Sequence, residues 1–487
     1  MALALALPGL GWWPLALAAP ALLLEALRDA RPGRALALGW LAGAVHWALA
    51  VSWVVPVMSH YGGLPWPLAV LGLLFMGAVL GSFWAVVAAA TAMVGPALRP
   101  WLLPAAWIGL EPVRALPPFQ FPWNTVAAAF ADRPELLGSL PVWGASGLGW
   151  AALALGAGLW AATRRSSRRS GATLACSAVA LTALATAAAP PALEVGEPLR
   201  VTLVQPGTSQ EERWDPDEWA AIAARVHALT VAAVADRPHL VLWPEGATAY
   251  RLEGDPLFAA QLRDLADELD ADLLLNAVGR STAGGYSNSA YLVQPAGVSP
   301  VRYDTVRLVP FGEYVPGWAR PLFSEALVRE VAVFTPGAAP ILLPARGAAV
   351  GMAICYEVVF PEHVAAEVRQ GAELLVTLTN DGWYGFSWAP HQHFAQAVLR
   401  AVESRRWLAR AALTGISGAV DPAGRVHGRL EVGAAGRTTV EVRRAVGLTP
   451  RARWGDWWAG LCAAAAIVLL VFGWRRKSLP PGDVLVG

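Results

Sequence analysis

Lysine is almost absent from this chain of 487 residues. Lys477 is the only one, and arginine supplies the other 36 of the 37 basic residues. Lys477 lies in a basic tail behind the last apolar segment. Since it is the only lysine, no side chain before it can contribute an ammonium group to a reaction. Any chemistry that relies on a buried lysine must be done here with other groups.

Charged residues and cysteines are also scarce, and each shortage excludes a class of protein. Only 15% of the residues are charged, against about 25% in a typical soluble domain, which indicates that part of the chain lies in lipid. The net charge of +1 provides no basic field for a nucleic-acid partner. The three cysteines, Cys176, Cys355 and Cys462, do not predict a disulfide framework, because two of them lie in apolar segments.

Residues 1–195 and 446–487 carry apolar runs long enough for a membrane. A spanning helix needs about 20 apolar residues. The predicted spans are residues 13–28, 34–55, 66–95, 100–115, 146–163, 171–190 and 457–474, with a short apolar helix at 1–10. We therefore expect a multi-pass membrane protein with a helical bundle of about seven or eight spans.

Four basic clusters fall on one side of these predicted spans. They are Arg28, Arg31 and Arg34; Arg99; Arg164, Arg165, Arg168 and Arg169; and Arg475, Arg476 and Lys477. The positive-inside rule makes that side the cytoplasm. The polar region, residues 196–445, is then expected on the opposite, extracytoplasmic face.

Residues 196–445 alternate apolar runs of strand length with longer amphipathic segments. Strands are predicted at residues 200–205, 239–244, 272–279, 288–294, 301–310, 350–355, 374–379 and 410–420. Helices are predicted at residues 216–235, 256–270, 361–370 and 389–406. This alternation is typical of a layered α/β domain.

Two predicted strands end in residues that could do covalent chemistry. Glu245 follows the apolar run 240–244, and Cys355 follows the run 351–354. Sites in α/β folds gather at the carboxyl ends of strands, so the carboxylate could meet the thiol there and generate a thiolate nucleophile. Each residue alone also has a structural interpretation, because a lone cysteine in an apolar strand is usually inert and a lone glutamate at a strand end is usually solvated.

The histidines do not predict a metal site. His391 and His393 lie two residues apart near the start of a predicted helix, whereas two ligands on one helix face are three or four positions apart. We interpret both as structural or substrate-facing residues, and we expect neither a metal nor a cofactor.

A set of local motifs resembles the apolipoprotein N-acyltransferases, a membrane-anchored branch of the nitrilase superfamily. The motifs are FPWN at 121–124, QPG and RWDP between 205 and 216, WPE at 243–245, LVPFGE at 308–313, ICYE at 354–357, TNDGWYG at 379–385 and GLTPRARWGDW at 447–457. Together with the apolar N-terminal region and the final span, they cover nearly the whole chain. The resemblance implies a membrane α-helical bundle that carries an αββα nitrilase-like domain on the periplasmic side of a bacterial inner membrane.

The resemblance also implies roles for single residues. Glu245 matches the general base, Cys355 the nucleophile, and Glu313 a second glutamate that supports the site. Positions that shape the acyl pocket are matched by Trp214, Asn288, Tyr356 and Glu357. The implied reaction is a ping-pong transfer, in which Cys355 takes an acyl chain from a phospholipid as a thioester. The α-amine of a diacylglyceryl-cysteine at the N-terminus of an apolipoprotein then accepts the chain.

Thr305 stands where the resemblance requires a catalytic lysine. That lysine would stabilise the tetrahedral oxyanion, and losing one such donor costs roughly 2.7–4 kcal/mol in other enzymes. Its loss should also raise the pKa of the Cys355 thiol and of the neighbouring carboxyl groups. On an extended strand Arg307 shares a face with Thr305, so its guanidinium could supply the missing charge or pair with Glu313. Alternatively, Arg307 is a surface or helix-contact residue and backbone N–H groups alone hold the oxyanion.

Acylation of apolipoproteins, the last step of lipoprotein maturation, is therefore the expected function. One alternative is a catalytically impaired relative that binds lipid or lipoprotein. The threonine at position 305, in place of a lysine, supports this alternative. Another is a membrane-bound amidase with water as the acceptor. The presence of Glu245, Cys355 and Glu313 argues against the first alternative, and the full-length resemblance argues against the second.

Overall fold

The computed structural model describes residues 1–281, 284–317 and 334–478, the last three of these by their backbone. The chain divides into two compact units. The helical unit comprises Met1–Asp132, Gly138–Ala189 and the chain from Asp456 onward, and the α/β unit comprises Arg133–Leu137 and Pro190–Gly455.

The described residues of the helical unit form eight helices from the first part of the chain and one near its end. They are α1 (Ala2–Ala6), α2 (Pro14–Ala26), α3 (Pro32–Ala50), α4 (Val54–Pro56), α5 (Trp66–Met93), α6 (Arg99–Leu110), α7 (Leu140–Ala162), α8 (Arg168–Ala187) and α15 (Trp457–Ser478). A π-helical turn, Val57–Tyr61, follows α4. Cys176 and Cys462, on α8 and α15, are free thiols.

Among the described residues, five helical segments are long and apolar enough to cross a membrane, or six if the bent pair Pro32–Ala50 and Val54–Tyr61 is one span. One of the five, Pro216–Asp236, lies in the α/β unit, where the sequence predicts an amphipathic helix. By length and composition, the described helices of the helical unit do not confirm the count of seven or eight spans expected from the sequence.

Two of the expected spans are too short as helices. Helix α2 has 13 residues and α6 has 12, so each is about 20 Å long or less, against about 30 Å of hydrocarbon. Helix α6 was expected to continue to residue 115, but it gives way to a 3-10 turn at Glu111–Ala115. Pro112 lacks the N–H that another α-helical turn needs, which accounts for the early end.

The α/β unit contains twelve strands in the residues that the structure describes. They are β1 (Leu193–Gln205), β2 (Leu240–Leu242), β3 (Asp272–Arg280), β4 (Tyr286–Gln294), β5 (Gly297–Asp304), β6 (Leu343–Ala345), β7 (Ala348–Ile354), β8 (Leu374–Thr379), β9 (Leu408–Ala412), β10 (Ser417–Val420), β11 (Val426–Leu430) and β12 (Gly436–Val446). Its helices are α9 (Gln210–Trp214), α10 (Trp219–Val231), α11 (Pro256–Leu269), α12 (Pro361–Arg369), α13 (Ala389–Ser404) and α14 (Pro450–Trp454).

These strands form two six-stranded sheets, with the orders β12-β1-β2-β3-β4-β5 and β11-β10-β9-β8-β7-β6. Strands β1, β2 and β3 are parallel in the first sheet, and β7, β8 and β9 are parallel in the second. Side chains of both sheets share one core, and a second core lies between the first sheet and helices α10 and α11. The expected layered fold with two sheets is confirmed.

Parallel strands in the middle of each sheet bring their carboxyl ends to one edge. The run Leu240–Leu242 is fully buried, as is Leu374–Thr379, which is typical of strands covered on both faces. Glu245, Cys355 and Asn380 follow β2, β7 and β8, so the fold collects these residues at the carboxyl ends of three central strands.

Three strand predictions are wrong in their extent, and one of them, the strand at 200–205, begins earlier in the structure, at Leu193. The predicted strand 301–310 ends at Asp304, because the next amides leave the sheet: the N–H groups of Val306 and Arg307 donate to the Glu357 carboxylate at 2.7 and 3.0 Å. The predicted strand 410–420 is two strands, β9 and β10, joined by a tight turn. Strands β6, β11 and β12 were not predicted, and β11 is too exposed and polar to give an apolar run.

Candidate active site

Cys355 lies at the end of β7 in a strained backbone conformation. Its φ of +52° falls in the left-handed region, which costs a non-glycine residue on the order of 1–3 kcal/mol. The residue also starts a 3-10 helix, Cys355–Val359. This sharp strand-to-helix turn lifts the thiol out of the line of the strand, as nucleophile-bearing turns do.

Glu245 is held by two amide groups. Its Oε2 accepts from the backbone N–H of Asn380 at 2.9 Å, and its Oε1 accepts from Nδ2 of Asn288 at 2.9 Å. A backbone hydrogen bond from Asn380 also lowers the pKa of the Cys355 thiol. The backbone of Asn380 therefore acts on both Glu245 and Cys355.

Asn288 joins the two glutamates of the site. Its Nδ2 donates to Oε1 of Glu313 at 3.0 Å as well as to Glu245, while its Oδ1 accepts from Nδ2 of Asn276 at 2.6 Å. The second oxygen of Glu313 accepts from the N–H of Val309 at 2.8 Å. The sequence-predicted residues Glu245, Glu313 and Asn288 are thus brought together in one network.

The electrostatics of the site disfavour negative charge. Burial, followed by the charge of Glu245, raises the pKa of Glu313 to about 7. Burial also raises the pKa of the Cys355 thiol well above its usual value, and the charges of Glu245 and Asp381 raise it further. Hydrogen bonds from Thr379 and Asn380 oppose that rise. For Glu313 and Cys355 the directions agree with the expectation from the sequence, and burial is the largest cause of each.

Thr305 is buried and its polar groups serve the fold. The side chain is 2% exposed, and both its hydroxyl and its backbone N–H donate to the carbonyl oxygen of Asn288, each at 2.9 Å. The hydroxyl proton is therefore committed to the backbone of the residue that links the two glutamates.

The expectation that Arg307 shares a strand face with Thr305 is wrong, because β5 ends before both residues. Arg307 is exposed, and its guanidinium carbon lies 5.4 Å from the centroid of the Phe360 ring. In the part of the chain that the structure describes, no ion pair joins Arg307 to Glu313. The geometry favours the alternative in which Arg307 is a surface residue.

Glu357 has a different environment from that of an acyl-pocket residue. It is fully buried, and its carboxylate accepts from the Tyr303 hydroxyl at 2.6 Å and from the N–H of Ile354 at 2.8 Å, in addition to the two amides after Thr305. Glu357 therefore ties the 305–307 segment to the strand that carries the nucleophile.

Two aromatic side chains were expected near the acyl pocket. Tyr356 is 5% exposed, and its ring centroid lies 5.3 Å from that of Phe360. Trp214 ends helix α9, is 53% exposed, and lies 5.6 Å from the ring of Trp383. Trp214 and Trp383 thus present apolar surface to the outside of the α/β unit.

Sequence reasoning missed a charged cluster behind the nucleophile. Nδ1 of His393 lies 2.8 Å from Oδ1 of Asp381, and its Nε2 lies 3.0 Å from the carbonyl oxygen of Cys355. Arg410 donates from Nη2 to Oδ2 of Asp381 at 2.8 Å. The motif at 379–385 pointed to Asp381 only as a turn residue, and no local signal in the sequence pairs it with Arg410, which lies on β9.

Two family models match the chain over most of its length. Residues 1–159 match the apolipoprotein N-acyltransferase N-terminal domain, and residues 200–450 match the carbon-nitrogen hydrolase family.

Among the residues that the structure describes, no group of three or more His, Cys, Asp or Glu side chains could hold a metal ion.

Named relatives are similar to the chain from end to end. The apolipoprotein N-acyltransferase of Geobacter metallireducens is 34% identical over 98% of this chain and 94% of its own length. That of Methylococcus capsulatus is 34% identical over 95% of this chain and 93% of its own length. Among solved structures, an amidase from Nesterenkonia sp. is similar over 52% of this chain and 93% of its own, with 24% identity and a TM-score of 0.38. The chain belongs to the apolipoprotein N-acyltransferase family.

Proposed function

We propose that this protein transfers an acyl chain from a phospholipid to the α-amine of the N-terminal diacylglyceryl-cysteine of an apolipoprotein. The observation that carries the proposal is the placement of Glu245 and Cys355 at one edge of the α/β unit, where the Glu245 carboxylate accepts from the N–H of Asn380 at 2.9 Å and its charge raises the pKa of the Cys355 thiol. A general base that lies beside a thiol is what a covalent acyl-enzyme mechanism needs. Membership of the acyltransferase family supports the choice of substrates.

In the first half-reaction Glu245 takes the proton of the Cys355 thiol. The thiolate attacks the ester carbonyl of the phospholipid, the C–O bond breaks, and the lysophospholipid alkoxide leaves with the proton held by Glu245. The acyl chain remains on Sγ as a thioester. In the second half-reaction the amine attacks the thioester, Glu245 accepts a proton from the nitrogen, and the C–S bond breaks to return the thiol.

Glu313 and Asn288 support the base in this proposal. Asn288 donates to Glu245 and Glu313 from one amide nitrogen, so it fixes the carboxylate of the base relative to its neighbour. The exposed ring of Trp214, next to Trp383, is suited to contact an acyl chain, and Tyr356 lies next to the nucleophile in the sequence. Glu357 acts from within the fold, by holding the 305–307 segment.

The two substrates explain the membrane anchor. Both are amphiphiles that stay in a lipid leaflet. Residues 1–195 and 446–487 would therefore hold the 196–445 domain at the membrane surface, where the substrates lie. The arginine clusters at the ends of the apolar segments support an inner-membrane, multi-pass arrangement with this domain on the periplasmic side. A site at the membrane surface also keeps water from the thioester and favours transfer over hydrolysis.

An acyl-transfer assay with the purified full-length protein tests the function. The protein is mixed with a phospholipid that carries a labelled acyl chain and with a synthetic diacylated lipopeptide, and the products are separated by mass. We expect a triacylated lipopeptide and a lysophospholipid with the wild type, and neither with Cys355→Ala. Release of free fatty acid without lipopeptide product would indicate an amidase-like hydrolase, and lipid binding without any chain transfer would indicate a scaffold.

A further inference from the structure

Arg213 is a cation that lies close to the general base of the proposed reaction. It belongs to helix α9 and is partly buried, and its guanidinium packs against Gly246, the residue directly after Glu245. A Cβ at position 246 would lie 2.6 Å from Cζ of Arg213, which is closer than Cβ atoms approach other heavy atoms. Position 246 also has a φ of +65°, which glycine adopts without strain. The absent side chain therefore makes room for the guanidinium beside the base.

A series of hydrogen bonds links Arg213 to Glu245. Nη1 of Arg213 donates to Oε1 of Gln210 at 3.1 Å, and Nδ2 of Asn380 donates to the same oxygen at 3.0 Å. The backbone N–H of Asn380 in turn donates to Oε2 of Glu245 at 2.9 Å. Gln210 is 1% exposed and accepts from two different elements. It therefore fixes the guanidinium relative to the residue that binds the base.

The charges of Arg213 and Glu245 attract each other without a direct contact. Burial lowers the pKa of Arg213, and the negative charge of Glu245 opposes that fall. A guanidinium in a protein keeps its proton at any working pH, so the attraction is present whenever Glu245 is ionised. Within the described part of the chain Glu245 makes no ion pair, so the positive charge acts on it from across Gly246.

The other titratable groups around the base supply no positive charge to it. Three of them interact with the charge of Glu245, and burial is the largest cause of the raised pKa of each; they are Glu313, the Cys355 thiol and the Tyr384 hydroxyl. Behind the nucleophile, Arg410 donates to Asp381 at 2.8 Å, which offsets its charge. Burial and the charge of Arg410 lower the pKa of His393, so its ring is neutral. Arg213 is therefore the cation that is placed to act on Glu245.

We propose that Arg213 is a positioning residue which, from its place against Gly246, keeps the Glu245 carboxylate ionised and oriented to take the proton of the Cys355 thiol. The guanidinium thereby provides part of the positive charge that a lysine at position 305 would provide. This inference rests on the proposed function only in taking Glu245 as the base that serves Cys355. It does not depend on which acyl donor or acceptor the protein uses.

The rate of alkylation of Cys355 by iodoacetamide, measured as a function of pH, tests the proposal without any acyl donor. The full chain carries Cys176→Ser and Cys462→Ala, so that only Cys355 reacts. Because a thiol and its base titrate as a pair, the midpoint of the profile reports both groups. Arg213→Gln removes the nearby positive charge, and we expect the midpoint to rise by roughly one unit. Arg213→Lys keeps the charge and should restore most of the wild-type profile.

Arg225→Gln is the matched control. Arg225 pairs with Glu212 of helix α9 at 3.2 Å, so its loss disturbs the helix that carries Arg213 and leaves the charge beside Gly246 in place. We expect the control to keep the wild-type midpoint. Arg213→Met serves as the second variant if the glutamine variant does not fold.

The outcomes separate this inference from the function. A folded Arg213→Gln protein with the wild-type midpoint would overturn the inference, and so would an equal shift in Arg213→Lys. If the glutamine variant needs more phospholipid for half-maximal acylation but keeps the wild-type midpoint, Arg213 contacts the phosphate of the donor and the inference is wrong. A raised midpoint in a protein that transfers no acyl chain would keep the inference and reject the proposed function.

Discussion

Thr305 and Asn288 are joined by two hydrogen bonds, because the hydroxyl and the backbone N–H of Thr305 both donate to the carbonyl oxygen of Asn288 at 2.9 Å. The amide of Asn288 in turn donates to both Glu245 and Glu313. Where the family resemblance requires a cation, this chain therefore has a short neutral side chain that fixes the residue between its two glutamates.

Restoring a lysine at this position should speed the acylation of Cys355. Thr305→Lys places an ammonium group beside the network of Asn288 and the two glutamates, and we expect roughly tenfold to a hundredfold faster acylation from phospholipid. Loss of the hydrogen bond from the Thr305 hydroxyl to the carbonyl oxygen of Asn288 should lower the free energy of unfolding by about 1 kcal/mol. Single-turnover acylation, followed by mass, measures the first effect.

Thr305→Val is the control for that substitution. It removes the same hydroxyl without adding a charge, so it should lose similar stability and gain no rate. If the lysine and valine variants acylate equally fast, the missing ammonium is not what limits this site.

Asn288→Asp should impair the site more than its small change in shape suggests. The substitution removes the shared donor and puts a third carboxylate against Glu245 and Glu313. Hydrogen bonds to charged groups contribute about 1.5–3 kcal/mol each, so acylation should slow by roughly tenfold or more. Ser289→Ala, which removes a neighbouring bond to Asp304, should leave the rate near that of the wild type, and an equal loss in both variants would point to damage to β4 alone.

Glu313 makes stability depend on pH. Burial, and then the charge of Glu245, raise the pKa of Glu313 from 4.5 to about 7. Between these two values the folded chain binds more protons than the unfolded chain, so the free energy of unfolding falls as pH rises. The loss is on the order of 3 kcal/mol and is complete above about pH 7.

In Glu313→Gln the side chain does not titrate, so no proton is lost at this position as pH rises. Its thermal unfolding midpoint should fall less than that of the wild type between about pH 5 and about pH 8, and above pH 7 the variant should be the more stable protein. The same dependence on pH in both proteins would show that Glu313 is ionised throughout this range.

Arg307→Ala should have little effect on catalysis. The guanidinium lies over the Phe360 ring, and an exposed cation–π contact contributes about 0.5–1 kcal/mol. We expect less than about a threefold change in the acylation rate, with Arg307→Lys as the charge-keeping control. If the acylation rate falls by a hundredfold or more in Arg307→Ala but not in Arg307→Lys, Arg307 supplies the positive charge that the missing lysine would provide.

The sequence predicted the position of the site where reactive residues directly follow apolar runs of strand length. Glu245 and Cys355 each follow an apolar run, and parallel strands necessarily bring such positions to one edge. The alternation of strands and helices predicted a layered α/β domain, and the family resemblance implied its αββα arrangement.

Predictions failed where a distant residue decides the local structure. The strand through residue 304 stops because the carboxylate of Glu357, 51 positions away from Val306, takes the next amides. The contact of His393 with Asp381 and Arg410 likewise joins three elements, and no periodicity within one element reports it. In the membrane region hydropathy predicted a span at 100–115, but it does not register that Pro112 ends α6.

The central claim is that Cys355 forms a thioester, with Glu245 as the general base, although Thr305 stands where the family resemblance requires a lysine. Intact-mass spectrometry of the protein after incubation with phospholipid, in the absence of any acceptor, tests this most directly. We predict one added acyl chain, located on Cys355, in the wild type, none in Cys355→Ala, and a strongly slowed addition in Glu245→Gln. A folded wild-type protein that gains no acyl chain, or gains it equally in Cys355→Ala, would contradict the account.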